Sequence, residues 1–220
     1  MIICIDGPAA SGKSTTAKIV AQKLSLMYID TGAMYRAVAL YSKLNNINIE
    51  CLQALESMME SMKIEFKLVD NISKIYLNGS DVTEEIRTPE ITILSSKVAT
   101  IKIVRQKMVE AQRILSQNNN VILDGRDIGT VVFPNAEFKF FLTASVDERA
   151  LRRYKENLEK GIDSELEQIK LDLIWRDSND TNRAEAPLKK ADDAIEINTT
   201  KMTVEEQVNK ILKVIKEGIE

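Results

Sequence analysis

Histidine is absent from the 220 residues, which removes imidazole general bases, Ser-His-Asp triads and histidine metal ligands together. Cysteine is scarce: Cys4 and Cys51 stand far apart and in no metal-ligand spacing, as suits two buried thiols in a reducing cytosol. Neither sign of charge dominates. With 30 Lys and Arg against 33 Asp and Glu, a formal net charge of −3, no basic surface announces nucleic acid or an anionic membrane. Any basic residues that matter must therefore be local. No window reaches the length of a membrane span, and the N-terminus has no basic region followed by a long apolar one, so a cytoplasmic protein is expected. Asn71-Ile72-Ser73 and Asn198-Thr199-Thr200 match the glycosylation sequon but mean little without secretion. Internal repeats and low-complexity stretches are also missing. The 44% hydrophobic content is ample for a core.

What is present begins at the N-terminus. The apolar run Ile2-Ile3-Cys4-Ile5 leads into Gly7-Pro8-Ala9-Ala10-Ser11-Gly12-Lys13-Ser14, which fits G-x-x-x-x-G-K-[ST] at every fixed position. Glycines let the backbone curl so that successive N–H groups and the next helix's N-terminus point at one anionic group. Lys13 adds a mobile positive charge, and the Ser14 hydroxyl can ligand Mg²⁺. A plain strand-to-helix turn would explain Gly7 or Gly12 but not the Lys-Ser pair. The loop therefore predicts a nucleotide phosphate site.

A helix is expected from about Lys13 to Leu24, then a short strand Met27-Tyr28-Ile29 ending in Asp30-Thr31-Gly32, then a helix from Ala33 to Leu44. Leu52, Leu55, Met58, Met59 and Met62 recur at helical spacing and read as a core face. Ile64 to Val69 and Lys74 to Leu77 alternate apolar with polar around Asp70-Asn71, and Asn78 to Asp81 makes a turn, so a small antiparallel sheet is expected. Pro89 opens a helix with apolar positions Ile91, Leu94, Val98 and Ile101, and more helix runs out to about Leu115. After the polar break Asn118-Asn119-Asn120 comes a buried strand, Val121 to Leu123, with Asp124 at its end, well placed for Mg²⁺ either directly or through water. Phe138 to Leu142 is the fourth strand. A helix from about Val146 carries Arg149, Arg152 and Arg153, and another from Ser164 to about Asp180 has Leu166, Ile169, Leu173 and Ile174 as its apolar face. Ala194 to Ile197 is the fifth strand. The last helix begins at Thr203, whose three-later Glu206 completes a capping box, with Val204, Val208, Ile211, Leu212 and Ile215 as its stripe.

Five apolar strands alternating with helices, plus two polar inserts, make an α/β phosphate-loop core: a five-stranded parallel sheet flanked by helices in one domain, 1–220. The inserts are approximately Asn46 to Lys107 and Tyr154 to Leu188. Arg36, Arg105, Arg126, Arg149, Arg153, Arg176 and Arg183 lie in strand-end turns, inserts or lid-like segments. Singly each could be a solvated helix face. Collectively they suit the transfer of a phosphoryl group between two phosphate-bearing molecules, where the protein mainly positions and neutralises charge.

The chain resembles the nucleoside monophosphate kinases, most closely the bacterial cytidylate kinases. The resemblance rests on Ile5-Asp6-Gly7-Pro8 with the loop, Asp30-Thr31-Gly32-Ala33-Met34-Tyr35-Arg36, Glu85-Ile86-Arg87-Thr88, Asp124 through Pro134, and Asn182-Arg183-Ala184-Glu185-Ala186-Pro187-Leu188. It implies that Gly7 to Thr15, with Lys13, holds the ATP phosphates and that Ser14, with Asp124, holds Mg²⁺. Arg36 and Arg126 would grip the CMP or dCMP phosphate, beside Thr31, with Arg176 and Arg183 from the helical lid. Asp180 would meet the sugar hydroxyls, and Ser96, Arg105 and Asp127 would read cytosine. A carboxylate suits that base, since its exocyclic amine donates where uracil presents an oxygen. Arg149 and Arg153 resemble lid-base arginines near ATP. Lys13, Arg126, Arg176 and Arg183 would carry the catalysis. Residues 46–107 would form the monophosphate-binding insert and 154–188 the lid, in an enzyme expected to be a monomer. Ser96 and Arg105 are nine residues apart, so both reach the base only if the helix breaks near Thr100.

Overall fold

The computed structural model describes residues 1–69, 72–117 and 119–219, so Asp70, Asn71 and Asn118, expected in polar breaks, lie outside the described residues. The chain divides into two compact units, one made of Met1–Tyr28 with Asn118–Glu220, the other of Ile29–Gln117.

In chain order the elements are β1 (Ile2–Asp6), α1 (Lys13–Leu24), β2 (Met27–Asp30), α2 (Thr31–Leu44), α3 (Leu52–Ser61), β3 (Ile64–Val69), β4 (Ile72–Leu77) and β5 (Ser80–Asp81). There follow α4 (Pro89–Val98), α5 (Lys102–Ser116), β6 (Val121–Gly125), β7 (Phe138–Thr143), α6 (Val146–Glu159), α7 (Leu166–Asn182), β8 (Ile195–Asn198) and α8 (Val204–Ile219).

The first unit is built on the five-stranded parallel sheet, ordered β2-β6-β1-β7-β8. β1 pairs in parallel with β6 and with β7, and β7 with β8. The continuous apolar runs exist because helices cover both faces. Ile3, Ile5, Ala17, Val20, Ile122, Phe140, Leu142, Ile197, Val208 and Ile211 form one core cluster joining the sheet to α1 and α8. In that register Asp6 lies beside Gly125 on one side and Phe141 on the other. The loops that leave β1 and β6 therefore emerge at one sheet edge, where ligands bind in open parallel sheets. The capping box at α8 forms in both directions, Glu206 N–H to Thr203 Oγ1 at 3.2 Å and Thr203 N–H to Glu206 Oε2 at 2.7 Å.

The second unit packs α2 against α4, α5 and β4, and α3 against α5. β3, β4 and β5 form the separate antiparallel sheet. The long helical stretch after Pro89 is two helices: α4 ends at Val98, and α5 starts at Lys102.

Some expected faces are narrower than the periodicity implied. Leu52 of α3, Leu166 and Ile174 of α7 and Val204 of α8 are exposed, while Leu55, Met58, Met59, Ile169, Leu173, Val208, Ile211 and Ile215 are buried. Leu52, Leu166 and Val204 are the first residues of their helices, and Ile174 follows Leu173 on the flank of the α7 stripe. Cys4 is buried as expected, and its burial pushes the thiol pKa up. Cys51 is exposed instead, because it occupies the cap position ahead of α3 rather than a place on its apolar face.

Candidate active site

The phosphate loop leaves β1 in a conformation open only to glycine at two points. Gly7 has φ 144°, and a Cβ there would stand 2.1 Å from the Leu142 carbonyl oxygen. Gly12 has φ 95°, and its Cβ would meet Gln207 Oε1 at 2.8 Å. Lys13 opens α1 with its side chain folded back over the loop, donating to the Pro8 carbonyl at 2.6 Å and to Ser11 Oγ at 3.4 Å. It is 4% exposed. Burial and then the neighbouring Arg126 guanidinium hold its pKa well below the usual lysine value, against the pull of Asp124, Asp6 and Asp180.

Next to it the Ser14 hydroxyl donates to Asp124 Oδ2 at 2.7 Å. Tyr28 Oη donates to the other carboxylate oxygen, also at 2.7 Å. Two hard oxygen donors in contact suit Mg²⁺, which takes one or two protein ligands and completes its shell with substrate phosphates and water. Among the described residues no group of three or more carboxylate or thiol side chains forms a metal cage.

The loop is also braced from outside by residues that motif reading passed over. Thr199 Oγ1 donates to the Ser11 carbonyl at 3.0 Å, and Arg152 holds Thr199 through Oγ1 and its carbonyl at 3.0 and 2.6 Å. Thr16 Oγ1 donates to Gln207 Oε1 at 2.9 Å. Arg149 is buried, donating to the Ala9 and Ala144 carbonyls at 3.0 Å and pairing with Asp177 at 2.7 Å. Arg153 takes another direction. It faces Glu156 at 3.6 Å on the half-exposed side of α6.

Beyond β6 lies a second charged group in the same unit. Arg126 Nε donates to Asp180 Oδ2 at 2.7 Å, and Arg183 reaches Asp127 Oδ1 at 3.4 Å and Asp180 Oδ1 at 4.0 Å. The helix α7 runs to Asn182, so Arg176 and Asp180 share one side, and Arg183 caps its end. Burial works to lower the Arg126 pKa, but the charge and hydrogen bond of Asp180 outweigh it and the net movement is upward. For Asp180 burial works upward, and the Arg126 charge and hydrogen bond, with Arg176 and Arg183, bring it below the usual carboxylate range. Lys13, Ser14, Asp124, Arg126, Asp127, Asp180 and Arg183 thus gather around one sheet edge.

Asp6 has no fixed place in the phosphate-loop pattern, yet it is 4% exposed and accepts from the Ile128 and Gly129 N–H groups at 2.9 and 2.8 Å. The signal was present: an ionisable residue ends a run of apolar ones, as Asp124 does in β6.

In the second unit Asp30 caps α2, accepting from the Ala33 N–H at 2.8 Å through Oδ1 while Oδ2 pairs with Arg36 at 3.0 Å. Thr31 is buried at the start of that helix. The Arg36 Nε is buried with no hydrogen-bond partner among the described residues, a donor aimed where an acceptor is missing. Arg105 is buried in α5, lies over the Tyr35 ring at 5.6 Å and reaches back across the helix break to the Ala99 carbonyl at 3.2 Å. Ser96 is half-buried on α4, with Oγ 3.4 Å from the Thr92 carbonyl. The break at Ala99–Ile101 removes the rule of one straight helix that would set Ser96 and Arg105 on opposite faces.

Comparison with known proteins gives a consistent picture. The cytidylate kinase family model matches residues 3–217. A cytidylate kinase from Bacillus cereus (strain ATCC 10987 / NRS 248) is 51% identical over 213 residues, covering 97% of this chain and 95% of the relative. One from Bacillus thuringiensis (strain Al Hakam) matches with the same identity and coverage. Among solved structures, an uncharacterized protein from Eubacterium ventriosum (TM-score 0.51, 11% identity, 98% of each chain) shares the fold. TT1252 from Thermus thermophilus (TM-score 0.50, 13% identity, 100% of this chain and 98% of the other) shares it as well.

Proposed function

The chain belongs to the cytidylate kinase family, and on that premise we propose that it transfers the terminal phosphoryl group of ATP to CMP and dCMP, releasing ADP with CDP or dCDP. An oxygen of the acceptor phosphate forms the new bond to phosphorus as the bond to the bridging oxygen of ATP breaks. The departing ADP keeps that electron pair, and no covalent enzyme intermediate forms. Such a transfer asks the protein for positioning and charge stabilisation more than for proton chemistry, which fits a chain without histidine.

The observation that carries the reading is the gathering of Lys13, Arg126 and Arg183 with Asp124, Asp127 and Asp180 at the edge where the phosphate loop emerges. Gly7 to Thr15 would wrap the donor phosphates with backbone N–H groups, and Lys13 would swing from the Pro8 carbonyl onto them. Ser14 and Asp124 would hold Mg²⁺, with Asp124 bound directly or through water, and the ion supplies charge neutralisation at the phosphate oxygens when bound. Arg126 and Arg183 would leave their carboxylates for the transferring group, a guanidinium exchanging one anion for another, and Arg176 would join them there. Arg149 and Arg153 are assigned to the donor side. Arg36, with its unpartnered buried Nε, would take the acceptor phosphate beside Thr31. Ser96, Arg105 and Asp127 would read cytosine, and Asp180 the sugar hydroxyls. Residues 46–107 are assigned as the monophosphate-binding insert and 154–188 as the lid. The protein would work as a monomer in the cytoplasm on small molecules, engaging neither nucleic acid nor membrane; no helix among the described residues is long and apolar enough to cross one.

The test is a coupled assay with ATP and Mg²⁺ against CMP, dCMP, UMP, AMP, GMP and shikimate, each alone. CMP and dCMP should turn over fastest, and chelation of Mg²⁺ should stop the reaction until it is restored. Equal or greater turnover of UMP or AMP would defeat the cytosine assignment while leaving a kinase.

A further inference from the structure

The loop between β6 and β7 carries Arg126 and Asp127 at its start and continues as a wide helical turn, Ile128–Val132, to Pro134. Asp127 stands at the cap position of that turn, and a short acidic side chain there ordinarily bends back to accept from the exposed N–H groups. It does not. The Asp127 carboxylate makes no capping bond and faces Arg183 instead. The capping is done from a distant part of the chain: Asp6 Oδ1 accepts from Ile128 N–H at 2.9 Å and Asp6 Oδ2 from Gly129 N–H at 2.8 Å.

The same face of the sheet secures the other end of the loop. Lys139 of β7 lies beside Cys4 in the register, so its side chain shares a face with Cys4 and Asp6. Its buried ammonium donates to the Pro134 carbonyl and to Asp193 Oδ2, the latter at 2.7 Å. Gly129 makes room for both groups, since a Cβ there would stand 3.2 Å from Lys139 Cδ and 3.4 Å from Asp6 Oδ2. No φ is exceptional at this glycine, so its use is spatial.

We propose that Asp6 is a positioning residue for acceptor selection: by capping the turn from β1 it releases the Asp127 carboxylate to face the nucleotide base, with Lys139 holding the loop's exit. This rests on the assignment of Asp127 to cytosine. Asp6→Asn tests it, because an amide keeps an acceptor for one N–H and turns its NH₂ against the other, which invites Asp127 back into the cap. The expected result is a fall of about tenfold in the kcat/KM preference for CMP over UMP, the size of one lost base contact, with the KM for ATP within about twofold of the parent. In the double variant with Asp127→Asn the two losses should not add.

If Asp127→Asn loses the preference and Asp6→Asn keeps it, the positioning role is overturned and the Asp127 assignment stands. If neither changes the preference, the Asp127 assignment fails and the proposal falls with it. Equal loss of turnover on both acceptors together with a raised KM for ATP marks a merely structural residue and also overturns it. Should circular dichroism show Asp6→Asn unfolded, Gly129→Ala is the second variant: its methyl would stand 3.2 Å from Lys139 Cδ and 3.4 Å from Asp6 Oδ2, crowding both groups that hold the turn, and it should lower the preference in the same way; an unchanged ratio there sinks the idea.

Discussion

The two units keep charge in different ways. In the unit made of Met1–Tyr28 and Asn118–Glu220, cations and carboxylates form a buried mesh: Ser14 and Tyr28 on Asp124, Arg126 on Asp180, Arg183 on Asp127, Arg149 on Asp177. In Ile29–Gln117 the two candidate arginines stand apart from one another in the chain, Arg36 against Asp30 and Arg105 against the Tyr35 ring. A mesh of this kind costs desolvation that its own pairs largely offset, and it presents several donors at once to a polyphosphate. An arginine held by one helix-cap carboxylate suits a single phosphate. On the proposed assignments, the difference teaches that the donor phosphates would be met by the first unit's mesh, while the second unit's Arg36 would hold the acceptor phosphate.

The largest effect that would sharpen this contrast is Lys13→Ala. It removes the mobile cation of the loop, and kcat should fall on the order of a hundred- to a thousandfold with every acceptor, as when one preorganised donor to a transition state is lost. Steady-state kinetics with CMP and dCMP at saturating ATP would show it. Unchanged turnover would remove the phosphate-loop assignment altogether.

Arg36→Ala should be smaller and one-sided. The KM for CMP should rise about tenfold or more, for loss of a charge-assisted pair to phosphate, while the KM for ATP stays near that of the parent. The same rise in both constants would break the division of labour between the units. Arg36→Ala should also cost some stability, because the Asp30 carboxylate, only 16% exposed, would lose its partner; chemical denaturation of the variant against the parent measures that cost separately from the kinetics.

Much of this was legible in the residues, for identifiable reasons. The parallel strands showed themselves as short apolar runs, and the loop as a motif whose every fixed position has a steric or electrostatic cause. The Arg126 group was legible only as a list of arginines and carboxylates, since pairs such as Arg126 with Asp180 join residues 54 apart in sequence. Asp6 and Thr199 act on the loops through backbone groups, which no side-chain pattern records, and Arg152 reaches the loop only through Thr199, 47 residues away. The break at Ala99–Ile101 was reachable only as a condition on two base readers; no proline or glycine marks it, and Thr100, which bonds back to the Lys97 carbonyl at 2.8 Å, is a weak signal alone. The exposure of Cys51 depended on where α3 begins, and element boundaries are the least readable feature of a pattern.

The smallest predicted effect concerns the price of burying Asp6, and its sign separates the mesh of the first unit from surface pairing in the second. In the second unit Asp81 is held down at about 2, by hydrogen bonds from Thr83 and Lys74, at an exposed position. Asp6 moves the opposite way. Burial pushes it up from the ordinary 3.8 to about 6, with the Gly129 and Ile128 N–H groups and Lys13 opposing and Asp127 adding to the rise; Cys4 and Lys139 share its face of the sheet. The folded chain therefore takes up a proton at this group near pH 6 and the unfolded chain only near 3.8. Between those values the folded state holds more protons, so this group's contribution to stability rises as the pH falls through 6 and is lost again as the pH rises through it. Groups with lowered values, such as Asp180, act in the other direction, so the whole-protein profile hides the effect. Subtraction recovers it: the unfolding free energy of the parent minus that of Asp6→Asn should grow by about 1 kcal/mol from pH 7 to pH 5. Urea unfolding followed by circular dichroism at the two pH values measures this. A difference that shrinks on acidification would mean that Asp6 is stabilised as a carboxylate after all, and that its two backbone bonds outweigh its burial.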